Sequence, residues 1–143
     1  GFYEWQKAGA GSAKKQPYYI RYKDNRPFAF AGLWELWSAK LSTVVDAMAQ
    51  EAVDTPLHIE SCTIVTTSAT KALSEVHDRM PVILEPNDYA LWLDPEVQDA
   101  AEVQHLVVPN DDPETIFGPI SAHVNKVSND DPRCIQVQRG LFD

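Results

Sequence analysis

Cysteine is scarce in this chain: 143 residues hold two, Cys62 and Cys134. Neither is spaced from other cysteines or histidines as metal ligands are, and His58, four residues before Cys62, makes too weak a pair to define a site. Both lie in apolar, strand-like runs, so they are expected to be buried thiols in a reducing compartment, not a disulfide framework. No apolar run approaches the length that spans a bilayer, and the opening residues GFYEW lack the basic and apolar regions of a secretion signal. Internal repeats, low-complexity stretches, a nucleophile elbow and a phosphate loop are all missing; a conventional hydrolase acting on a small substrate through Glu4 and His77 stays open as an alternative without those motifs, and no metal or cofactor is expected. What remains is an ordinary globular composition, 44% hydrophobic and 23% charged, in a length that fits one domain with a real core.

Positive charge is also in short supply, but unevenly so. The chain carries 12 Lys and Arg against 21 Asp and Glu, a net charge of −9 that by itself argues against a polyanionic partner. Residues 1–40 nevertheless hold a surplus of four positive charges, and the rest of the chain a deficit of thirteen. A solvated basic face is the plain explanation. A phosphate-contacting face is the sharper one, since Phe2, Tyr3, Trp5, Tyr18, Tyr19 and Tyr22 are interleaved there and offer stacking surfaces for bases.

The stretch from Cys62 to Leu84 organises the rest. Thr63 to Thr67 is almost wholly β-branched, as a buried strand requires. Ser68 and Thr70 are candidate caps for a short helix whose Ala72, Leu73 and Val76 share one inward face. Pro81 forbids its continuation, so the helix should end near His77, and Val82 to Leu84 reads as a second strand. This places His77, Asp78 and Arg79 in a tight turn between apolar elements. A lone histidine there is more often structural than catalytic, and the flanking charges allow a surface ion pair as well as a site.

At the start of the chain, Glu4 lies among Phe2, Tyr3 and Trp5. A carboxylate so surrounded suits general acid and base work if it is partly desolvated, whereas strand alternation equally allows it to face water. Lys7 to Gln16 reads as a flexible loop, and Pro17 to Tyr22 as a strand. Asp24 to Pro27 reads as a turn, with Phe28 to Trp34 returning to pair with that strand. Gly32 suggests a bulge or a close backbone approach. Leu41 to Ala52 fits a helix or an ordered loop. Pro86 opens a helix with Trp92 in the core, and Pro95 starts a second amphipathic segment whose acids form a solvated face. Phe117 to Val127 and Cys134 to Val137 return to strand character. The expected class is α+β: a mainly antiparallel, barrel-like sheet flanked by short helices.

GFYEW, PYYI followed by FAFAGLW, CTIVTTSA, VHDRMPVIL with its trailing YALWL, and HVNKVSNDDPRCI together resemble the ordered motif series of the SOS-response-associated peptidase (SRAP) family, over essentially the whole chain. The resemblance implies one SRAP domain over residues 1–143, corresponding to the C-terminal portion of the family's domain, without the segment that bears its nucleophilic amino-terminal cysteine. It implies an abasic-site processing protein of the DNA damage or SOS response. Such a protein binds single-stranded DNA, removes its initiator methionine autoproteolytically, and crosslinks to the ring-opened sugar through a thiazolidine, a lyase-like and peptidase-like chemistry. By resemblance, Glu4 and His77 are catalytic, while Thr66 and Arg79 line the DNA and abasic-site pocket. The implied protein is monomeric, makes no membrane contact, and works in the cytoplasm if bacterial or the nucleus if eukaryotic. Without the nucleophile segment the chain is expected not to form the crosslink itself, and a non-covalent single-strand binding module is the alternative.

Overall fold

The β-branched and aromatic residues take up extended backbone in short strands, several of which change partner midway. The computed structural model describes residues 1–6, 14–39 and 57–137. β1 (Phe2–Gln6), β2 (Gln16–Tyr22) and β9 (Thr115–Pro119) form an antiparallel sheet in the order β1-β2-β9. Glu4 stands opposite Tyr18 in this register, and Pro17, which cannot donate to a ladder, stands opposite Trp5.

The other strands are β3 (Ala29–Phe30), β4 (Gly32–Ala39), β5 (Leu57–Ile64), β6 (Thr66–Ser68), β7 (Arg79–Pro81) and β8 (Ile83–Leu84). They are three segments that each switch partner: β3 pairs with β8, β4 with β5, and β6 with β7, all antiparallel. The residues at the switches bond to one another. Ala31 N–H donates to Val82 O, Val65 N–H to Ala31 O, and Val82 N–H to Val65 O, each at 2.9 Å. This triangle satisfies amides that a change of partner in the interior would otherwise leave orphaned. Ala31 and Val82 are wholly buried at its centre.

Two apolar clusters flank this junction. Ile20, Leu73, Val76, Met80 and Ile83 form one, with Phe2, Phe28, Phe30 and Phe117 packed against them. Ala31, Val82, Leu84 and Leu106 form the other, covered by α1 (Tyr89–Trp92) and α2 (Ala100–Val103) through Tyr89, Leu91, Trp92 and Val103. The α+β class and the antiparallel sheets are therefore observed. Among the described residues the strands close no barrel. No helix there is long and apolar enough to cross a membrane.

Several sequence expectations change. Phe28 to Trp34 is not one strand paired with β2. Lys23 N–H is taken by Glu114 O at 2.9 Å, which commits that flank of β2 to β9, and the run breaks at the Ala31 junction. The helix expected before His77 is one 3-10 turn, Leu73–Glu75. β6 runs on to Ser68, and Ala69 N–H closes onto Asp78 O at 3.0 Å, so the loop is too short for a longer helix. The segment after Pro95 is helical at Ala100–Val103, where the Asp99 carboxylate caps Ala101 N–H, and then only as a 3-10 turn to Leu106. Strand character after Phe117 ends at Pro119, and a 3-10 turn capped by Ser121 follows. Cys134 is buried as expected, but in a 3-10 turn with Pro132 at its start. Cys62 is exposed: it stands opposite Trp34 in the β4–β5 ribbon, where Leu33, Trp34, Leu36, Trp37 and Ile59 are exposed too. Trp92 is part-buried, and its indole N–H donates to Gly32 O at 3.1 Å; the close approach expected at that glycine is not found, since a Cβ there would lie 3.5 Å from Thr63 O, an ordinary contact. Leu41 to Ala52 lies outside the described residues.

Candidate active site

The alternation of β1 decides where Glu4 points. Phe2 packs edge-on against Phe30 with ring centroids 5.5 Å apart, and Gln6 Nε2 donates to Glu75 O at 2.8 Å, so the even positions face the core and the 3-10 turn. Tyr3 and Trp5 lie on the other face, where Trp5 Nε1 donates to Asn125 Oδ1 at 2.7 Å and Tyr3 meets the ring of Tyr19. Glu4 shares the inward parity, its side chain 23% exposed, and its Oε2 lies 3.9 Å from His77 Nδ1. Of the two readings strand alternation allowed, the half-buried one holds.

His77 follows the 3-10 turn, its N–H bonded to Leu73 O at 3.0 Å and its ring 35% exposed. Nδ1 lies 3.1 Å from both the amide nitrogen and the carbonyl oxygen of Arg79, and 3.3 Å from Asp78 Oδ1. In one tautomer Nδ1 accepts the Arg79 N–H, and in the other it donates to the Arg79 carbonyl. Either way the backbone engages Nδ1, and Nε2, which has no partner among the described residues, is left for a substrate.

Arg79 and Thr66 meet because the β6–β7 register sets Ser68 opposite Arg79 and Thr66 opposite Pro81, so the two side chains are diagonal neighbours on one face. Arg79 Nε donates to Thr66 Oγ1 at 3.0 Å, and Nη2 to Thr66 O at 2.7 Å and to Oγ1 at 2.6 Å. Nη1 has no protein partner among the described residues, so a positioned guanidinium edge is left for an anion. The four residues singled out in the sequence thus form two pairs, Glu4 with His77 and Thr66 with Arg79, joined through the backbone of residues 77–79. A cavity of about 260 Å³ opens beside His77, lined by it together with Gln6, Ser74, Glu75, Val76 and Asp78. Sequence reasoning passed over Gln6, although it shares the parity of Glu4 on the same strand.

A larger hollow of about 530 Å³ lies elsewhere, with Glu85, Asp88, Asp111 and Asp112 in its walls. Its acids disfavour phosphate, so size alone does not mark the site. The basic N-terminal third is only partly available for a polyanion. Arg26 pairs with Asp24 and with Asp112, at 3.3 and 2.8 Å, and lies over the Tyr22 ring, while Arg21 Nη1 donates to the carbonyls of Tyr22 and Lys23. Phe2 and Tyr22 are packed into the interior and offer no stacking surface.

Behind the other face of β1, His123, Asp131 and Cys134 have donor atoms within 4.8 Å of one another, close enough to consider a metal ion. The donors are already engaged. Asp131 Oδ2 accepts from Arg133 Nη2 at 2.8 Å and lies 3.0 Å from His123 Nε2, Oδ1 accepts from Arg133 Nε, and the Cys134 thiol faces Asn129 O. Hydrogen bonds from Arg133 and His123 hold the Asp131 carboxyl well below the usual carboxylate range. The group reads as a polar clasp around residues 121–135.

With this geometry in hand, residues 1–127 match the model of the family described as SOS response associated peptidase (SRAP). The chain is 33% identical over 135 residues to the Bacillus subtilis protein named abasic site processing protein YoqW, covering 94% of this chain and 53% of that protein. It is 33% identical over 144 residues to the Gallus gallus protein named abasic site processing protein HMCES, covering 94% of this chain and 40% of that one. A crystal structure of a Bacteroides thetaiotaomicron protein superposes with a TM-score of 0.76 at 30% identity, over 97% of this chain and 54% of that one. The chain spans about half the length of the curated relatives it matches.

Proposed function

The chain belongs to the SOS response associated peptidase family, and from that premise we propose that it processes abasic sites in single-stranded DNA, with Glu4 and His77 moving protons and Arg79, set by Thr66, holding a phosphate. The observation that carries this reading is the 3.9 Å approach of Glu4 to His77, two residues before an arginine whose Nη1 has no partner among the described residues. An abasic nucleotide has no base to unstack and is cheap to extrude. Its ring-opened sugar presents an aldehyde, and an amine adds to that carbon to give a carbinolamine. Loss of water then leaves an imine, and each step needs a proton delivered or removed. Glu4 and Nε2 of His77 divide that work.

In the family's chemistry an amino-terminal cysteine supplies the amine, and its thiol then adds across the imine to close a thiazolidine. Cys62 and Cys134 hold their amines in peptide bonds and do not substitute. The test is intact mass of the full-length protein after incubation with a single-stranded oligonucleotide carrying one abasic site. We expect a DNA-sized increase that slows by roughly 10²-fold or more in Glu4→Ala and His77→Ala, the usual range for a lost acid or base. No adduct from a wild type with a processed amino-terminal cysteine would move the reading to a non-covalent single-strand binding module.

A further inference from the structure

We infer that Gln6 is a positioning residue for His77, acting as a clamp between the strand that carries Glu4 and the turn that carries the histidine. This rests on the reading above, but its geometry stands independently. The Gln6 amide is held at both ends: Oε1 accepts from the Tyr18 hydroxyl at 3.2 Å, and Nε2 donates to Glu75 O at 2.8 Å. The orientation is fixed by chemistry, because a flipped amide would set its oxygen against the Glu75 carbonyl. Glu75 closes the 3-10 turn two residues before His77.

Leu73 and Val76 anchor that turn in the core, in a cluster that Phe2 of β1 also packs against, and the Gln6 amide adds a polar contact between turn and strand. The 3.9 Å separation of Glu4 and His77 joins the same strand to the residue that follows the turn, two residues along the strand from the clamp. Gln6 also lines the cavity next to His77, so loss of its amide frees the turn that sets the ring's position there. A displacement of about 1 Å at a reacting group is enough to cost as much as 10²-fold in rate.

The test is Gln6→Met, which keeps the length and removes both hydrogen bonds, made in the full-length protein. Three quantities are read: the His77 ring nitrogen resonances by NMR, the rate of adduct formation with abasic single-stranded DNA, and the affinity for that DNA. We expect shifted His77 resonances, a rate reduced roughly ten-fold, and an affinity within about two-fold of wild type, because the clamp acts on proton transfer and not on phosphate binding. Unmoved resonances overturn the inference, whether the rate is unchanged or falls. If wild type forms no adduct, the functional reading fails, and the resonances alone decide the clamp. Should Gln6→Met not fold, Tyr18→Phe removes only the outer bond. It should shift the same resonances in the same direction by a smaller amount, and unmoved resonances there overturn the inference equally.

Discussion

Replacing Arg79 with alanine removes one positive charge together with the three hydrogen bonds it makes to Thr66. Both side chains are exposed, so the loss of stability should be about 1 kcal/mol, too little to unfold the protein. If the free Nη1 edge binds a phosphate, the loss should appear as electrostatics. One phosphate contact on a single strand contributes about 0.7 to the slope of log affinity against log salt. A fourfold rise in salt then weakens the wild type by about 2.6-fold more than Arg79→Ala, so a deficit of roughly ten-fold at 50 mM salt narrows to about four-fold at 200 mM. Thr66→Val keeps the charge and releases the guanidinium, so it should weaken binding with the wild-type slope. The assay is fluorescence anisotropy of a labelled abasic single strand, titrated at four salt concentrations. An Arg79→Ala slope equal to that of wild type would refute the reasoning, since the guanidinium would then hold no phosphate.

The junction of partner-switching strands should be intolerant of change. Val82→Ala, at a wholly buried position, is expected to cost about 2 kcal/mol from lost methyl burial and the cavity left behind, read as a lower urea midpoint at unchanged slope. The clasp at Asp131 should make stability pH-dependent. Its folded-state pKa is depressed by Arg133 and His123, so its contribution is fully present above the unfolded carboxylate value of about 3.9 and is lost as pH falls toward the folded value. The difference in urea midpoint between wild type and Asp131→Asn should therefore shrink as pH is lowered from 5 to 2, and a constant difference would show that the carboxylate is not held this way. In the 143-residue chain, one thiol should react quickly with a chromogenic disulfide in the native state and the second only after denaturation. Cys62→Ser should abolish the fast phase, because Cys134 is buried and faces Asn129 O.

Glu4, His77 and Arg79 stood out locally in the sequence, whereas Thr66 was singled out only by the family resemblance. Glu4 sits among aromatics, His77 and Arg79 crowd a turn before a proline, and Thr66 lies in a β-branched run. Their pairing was less legible. That Glu4 faces His77 depends on the parity of β1 against a core defined by Phe28 and Phe30, and that Arg79 reaches Thr66 depends on the β6–β7 register. Gln6 escaped notice because a glutamine on a strand carries no signal of its own, and its importance lies in a carbonyl far along the chain. The expected pairing of β2 with Phe28 to Trp34 failed for a related reason. A turn signal records where the chain reverses, but not that Glu114 competes for the amide at Lys23.

Composition, charge and motif order thus determined the class, the family resemblance and the chemical types present at the site, since those are properties of residues and their local spacing. Only the tertiary structure decided which of them meet. Partner switching at Ala31, Val65 and Val82, the shortening of the helix before His77 to a single turn, and the clamp from Gln6 to Glu75 all turn on backbone hydrogen-bonding groups, every one of which must find a partner in the interior. Each residue type carries the same amide and carbonyl, so the one-dimensional chain does not say where they go.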